Sequence, residues 1–75
     1  MTILDTQKGN RYCVKAITVK DNIQRRLQAL GILKGTRIDI LNQKRNGTTI
    51  IQVRGTRWAM GRDIAGGIEV TEADE

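Results

Sequence analysis

The residue types that most often do chemistry are scarce in this 75-residue chain. It has no histidine, so the commonest general base and metal ligand is missing. Serine is absent as well, which leaves Cys13, Tyr12 and the threonines as candidate nucleophiles. Cys13 sits in an alternating stretch with no imidazole in the chain to activate it, and reads as an inert packed thiol. Asp21, Asp39 and Asp63 fall in different expected elements, at no spacing that pairs carboxylates for acid–base work or gathers them round a cation. The glycines at 31, 35, 47, 55, 61, 66 and 67 match neither a P-loop nor a dinucleotide fingerprint, and read as turns and bends. The expectation is therefore no catalytic residue, no cofactor site and no metal ligand set. Function should lie in a surface.

Several surface features qualify. Lys44-Arg45-Asn46 reads as a basic hairpin tip, with Arg54, Arg57 and Arg62 expected on the same side. Such a tip suits an acidic protein surface or lipid head groups. Leu30, Ile32 and Leu33 surround two glycines, and one or two of them are expected to stay exposed as a partner patch. The candidate contact residues are Arg25, Arg26, Leu33, Lys34, Lys44, Arg45 and Arg57. Trp58 reads as core or rim filler rather than a base-stacking platform, since Tyr12 is its only aromatic companion.

Tyr12, Val14 and Ala16 alternate with Cys13, Lys15 and Ile17 in a first strand ending near Val19. Both faces of that strand carry apolar residues, so periodicity does not choose between them. Asp21 with Gln24 predicts a helix N-cap pair, and the helix runs from about Asn22 to Leu30, burying Ile23, Leu27 and Leu30. Gly31 stops it in a left-handed cap, and Gly35 opens a second strand from Thr36 to about Lys44. Asn46-Gly47, two residues that tolerate positive φ, is the strongest short hairpin signal in the chain. Its return strand, Thr48–Arg54, turns Ile51 and Val53 to one face. Gly55-Thr56 turns into a strand over Arg57–Met60. One helical turn at Arg62–Ala65 and a last strand over Gly67–Thr71 follow. Met1–Lys8 reads as a lead-in. Five short strands with one helix between the first two predict a mainly β, small, partly open barrel of the SH3-like type, with an OB-fold as competitor.

This length suits one domain, 1–75, with a core from about 9 to 71. One cysteine and no signal-peptide pattern predict a reducing, cytoplasmic setting, and no apolar run approaches the roughly 20 residues of a membrane span. The formal charge of +5 is spread from Lys8 to Arg62 and diluted by acids that end in an acidic tail, Glu69–Glu75. Spread in this way it favours solubility and an anionic partner surface over sequence-specific DNA reading. Exposed edge strands would allow a homo-oligomer.

The segment Arg25–Leu41, "RRLQALGILKGTRIDIL", also resembles the helix-to-strand signature of the ferrous iron transport protein A (FeoA) family. Further anchors are Ile51-x-Val53-x-Gly55, Trp58-Ala59-Met60 and Ala65-x-x-Ile68-x-Val70, so the resemblance extends from about Gly9 to Val70. The chain departs from the family at Met60, where leucine is common, and at Trp58, where an aliphatic residue is usual. The resemblance implies a small cytosolic SH3-like protein, not an enzyme, that binds the membrane GTPase FeoB and supports or regulates ferrous iron uptake. It implies no cofactor beyond weak Fe(II) or other divalent-metal contact, and a place at the inner membrane only through that partner. Two alternatives stand beside it: a nucleic-acid-binding small β-barrel, and a metal-sensing module similar to the C-terminal domain of iron-dependent repressors.

Overall fold

A computed structural model describes residues 1–73; Asp74 and Glu75, the end of the expected acidic tail, lie outside the described residues. A 3-10 turn (Ile3–Asp5) precedes β1 (Arg11–Ile17), α1 (Asp21–Ala29), β2 (Arg37–Gln43), β3 (Thr49–Val53), β4 (Thr56–Met60), α2 (Arg62–Ala65) and β5 (Ile68–Glu72). The strands form one sheet in the order β4-β3-β2-β1-β5, every neighbouring pair antiparallel. The expected SH3-like, five-stranded open barrel is what forms, with β4 and β5 as its two edges. No helix among the described residues is long and apolar enough to cross a membrane.

Two bulges settle which strand faces are buried. In β1 the register with β5 shifts between Val14 and Ala16. Tyr12 and Val14 are buried before the shift, and Ile17 packs on the core after it. A bulge inserts one residue and so reverses the alternation of faces, which is why both faces of β1 carry apolar side chains. The same happens in β2, where the register with β3 shifts between Ile40 and Asn42. Ile38 and Ile40 enter the core, and after the shift the half-buried Gln43 turns inward.

Helix α1 buries Leu27 and packs the half-buried Ile23 and Leu30 against the core. Its end is a Schellman motif: Gly31 takes φ +87°, its N–H donates to Gln28 C=O, and the Ile32 N–H donates to Leu27 C=O. Ile32 and Leu27 are both buried, the hydrophobic contact that usually accompanies this cap. The start of the helix corrects the expectation. Lys20 is the N-cap, with extended backbone and no side-chain cap bond, and Asp21 is the first helical residue. Its carboxylate therefore acts on the helix dipole rather than as a cap.

Two further expectations need correction. Met1–Lys8 is not a lead-in, because Ile3 is fully buried. Gln43 Nε2 donates to Thr6 Oγ1 at 2.9 Å, and the Thr6 hydroxyl donates to Ile3 C=O, which ties this turn down. Met1, Ile3 and Leu4 are too few and too close to the start to show a helix or strand period, so the sequence does not single out Ile3 as the buried one. At Asn46-Gly47 only Gly47 has positive φ. Gly47 N–H donates to Lys44 C=O and Lys44 N–H to Thr48 C=O, a three-residue loop with a glycine bulge. The two-residue primed turn lies instead at Arg54-Gly55, where φ is +52° and +82° and Val53 pairs with Thr56.

Candidate interaction surfaces

The seven candidate contact residues do not converge on one place. Arg25, Arg26, Lys34, Lys44, Arg45 and Arg57 are all exposed, and Leu33 keeps 41% of its surface in water. Each position follows from its element. At 100° per residue, Arg25 falls on the flank of α1 that carries Gln24 and Gln28, while Arg26 falls on the other. Gln24 and Gln28 line a concavity with Lys15, Ile17, Leu33 and Lys34. The helix flank with Arg25 thus meets the turn with Leu33 and Lys34, and Arg26 is left apart.

That turn is rigidly held. Thr36 N–H donates to Leu33 C=O at 2.9 Å, and Leu33 N–H donates to the Thr36 hydroxyl at 3.0 Å. Gly35 N–H donates to Val14 C=O and Val14 N–H to Thr36 C=O, which fastens the turn to β1. Of the three apolar residues around the glycines, Ile32 is wholly buried, Leu30 is half-buried and only Leu33 projects. An exposed leucine on a backbone pinned this firmly keeps its place in water. Ordering it in a complex costs little further backbone entropy.

The hairpin tip is a second surface. Lys44 and Arg45 line a concavity with Leu4 and Arg62. Arg62 packs closely on the tip, since a Cβ added at Gly47 would stand 2.6 Å from its Nε. Leu4, 39% exposed, joins this end, although nothing in the sequence marks it.

Arg54 and Arg57 do not belong to the tip, which corrects the expectation of one basic side. They sit at the opposite end of β3, around the Arg54-Gly55 turn. Arg57 is paired with Gln52, Gln52 with Asp39, and Asp39 with Arg11, so an outward row of polar residues crosses four strands. Within it Arg11 Nε bonds Asp39 Oδ1 at 2.7 Å. Both side chains are about half exposed, so the pair adds little stability. Arg11 and Arg37 are members of this face that sequence reasoning missed. Strand alternation could have turned them outward, but not shown that they meet.

Among the described residues no three of His, Cys, Asp and Glu gather where a metal ion could be held. Cys13 is half-buried and donates weakly to Gly35 C=O, with Sγ at 3.4 Å. Trp58 sits half-buried at the rim of the core, its indole N–H enclosed without an acceptor among the described residues.

The FeoA domain matches residues 1–72. Among solved structures, an iron uptake regulatory protein (FeoA) is 27% identical with a TM-score of 0.88, over 97% of each chain. The zinc complex of FeoA from Stenotrophomonas maltophilia, described as a prokaryotic SH3 domain protein, is 26% identical with a TM-score of 0.81; the match covers 95% of this chain and 89% of that one. A manganese-dependent transcriptional repressor has a TM-score of 0.89 at 17% identity, over 97% of this chain and 41% of that one, and shares the fold alone. No curated protein matches the sequence.

Proposed function

The chain belongs to the FeoA domain family, and from that premise we propose that it is a non-enzymatic accessory of ferrous iron uptake, acting in the cytoplasm by docking on the cytosolic region of a FeoB-type membrane GTPase. The observation that carries this reading is the family match over residues 1–72. The surfaces agree with it. Leu33 is the exposed apolar residue on a turn held by four backbone and side-chain hydrogen bonds, and Lys34 and the Arg25 flank of α1 border it with positive charge. An apolar anchor with a cationic rim is the usual anatomy of a protein contact. Ferrous iron enters as the partner's cargo, and no resident metal is part of the proposal.

Titration of the chain against the cytosolic portion of such a GTPase, with and without guanine nucleotide, tests the reading. Binding is expected at roughly tens of micromolar, the range of a modest transient interface. Leu33→Asp should weaken it by about tenfold or more, since truncated central anchors cost over 1 kcal/mol. Melting should stay unchanged, because Leu33 is outside the core. No binding at hundreds of micromolar would refute the proposal.

A further inference from the structure

We infer that the outer face of the sheet between the Gly35 turn and the Arg54-Gly55 turn is a binding site for a small soluble phosphate anion. Arg11, Arg37, Asp39, Gln52 and Arg54 line one polar concavity of about 370 Å³ there, together with the backbone of the two glycine turns. Three arginines line it with a single acidic residue. Asp39 is engaged by Arg11 at 2.7 Å. The guanidinium groups of Arg37 and Arg54 have no carboxylate or hydrogen-bond partner among the described residues. Like charges around one concavity repel unless an anion joins them, and the planar arginine fork matches phosphate oxygens in pairs.

Arg54 is also placed at a cost. It stands at φ +52°, where glycine or asparagine is the ordinary choice in a primed turn. Its stem leans on the end of α1, with Cδ 3.8 Å from where a Gly31 Cβ would stand. A strained backbone at a long cationic residue that lines a concavity is the pattern of a ligand contact rather than of a folding device.

The lining also narrows the ligand. It holds no aromatic ring to stack a nucleobase and none of the exposed large apolar residues Met1, Leu4 and Leu33, so it offers nothing to a base or a lipid tail. The Asp39 carboxylate accepts a hydrogen bond from the P–OH of hydrogen phosphate. Sulfate at neutral pH has no such proton, and meets only repulsion there. The site therefore selects phosphate over sulfate.

Amide NMR titration of the whole chain with inorganic phosphate, at constant ionic strength, tests this independently of any protein partner. Saturable shifts are expected at Gly35, Thr36, Arg37 and Gly55, with sulfate at least about fivefold weaker. Arg37→Ala and Arg54→Asn should each weaken phosphate about tenfold. Lys44→Ala and Arg45→Ala at the far hairpin tip should leave it unchanged. Phosphatidylglycerol vesicles should not shift the same amides. Shifts that never saturate, an equal response to sulfate, a loss of binding as large in the tip variants, or a stronger response to the vesicles would each overturn the assignment.

Discussion

Gly67→Ala is the substitution by which the packing between β1 and β5 is best tested. Gly67 does not have the positive φ of the turn glycines, so its reason for being glycine is proximity. A Cβ there would stand 2.5 Å from Thr18 O and 2.6 Å from Val19 Cγ1, against about 3.5 Å at ordinary contact. The first neighbour is backbone and cannot rotate away. It is also tied to the same residue, because Thr18 N–H donates to Gly67 C=O at 2.7 Å. Parting the two segments should cost ~1–3 kcal/mol in overpacking and ~1 kcal/mol for the strained hydrogen bond. Alanine returns ~0.4–1 kcal/mol by restricting the unfolded chain. The net loss is about 1–3.5 kcal/mol, a large part of the roughly 4–11 kcal/mol available to a domain of this size. In a thermal melt followed by circular dichroism, that is a fall of roughly 5–25 °C. Gly61→Ala is the control, since a Cβ there meets nothing within 4 Å, and it should melt within about 3 °C of the parent. A Gly67→Ala protein that melts as late as the control would refute the close approach.

Other outcomes follow from the same geometry. Ile3→Ala should cost about 2–4 kcal/mol in urea unfolding, because Ile3 is fully buried and its turn is pinned by Thr6 and Gln43; a loss below ~0.5 kcal/mol would return residues 1–8 to the status of a lead-in. Arg54→Asn should raise stability by roughly 0.5 kcal/mol, since asparagine tolerates the left-handed region better than arginine. A fall in the melting temperature of that variant would show that the Arg54 stem on Gly31 outweighs the backbone strain. Ile38→Ala, in the centre of β2 at 1% exposure, should cost ~2–5 kcal/mol in the same urea experiment, and a cost near that of a surface change would place the core elsewhere.

Much of the fold is legible along the chain because its causes are local. Leu27, Gly31 and Ile32 contain a complete helix stop, from the last buried turn to the capping glycine and the residue that folds back on it. Gly35 followed by Ile38 and Ile40 contains a turn and a strand phase. Arg62–Ala65 is a helical turn where the sequence predicts one. The candidate surface is legible only in part. Exposure of Leu33 follows from a crowded apolar run beside two glycines, and the basic tip from Lys44 and Arg45. Helical spacing parts Arg25 from Arg26, but neither residue type nor spacing says that the Arg25 flank is the one that meets the Leu33 turn, or that Leu4 and Arg62 come to the tip and Arg54 and Arg57 do not.

By itself the sequence determined that five strands, one helix and the glycine stops between them would form, and that no histidine-based or serine-based chemistry would be carried on them. Those properties depend on residue type and on contacts a few positions apart. Tertiary structure alone decided that the phase reverses part-way along β1 and β2, because a bulge moves the apolar set from one face to the other without changing composition. It alone decided that Ile3 enters the core and that Gly67 must have no side chain, since both depend on what a distant segment places against them. The gathering of Arg11, Arg37 and Arg54 around Asp39 is of the same kind. Cross-strand register sets it, and register is a property of pairs of strands that no single stretch of sequence contains.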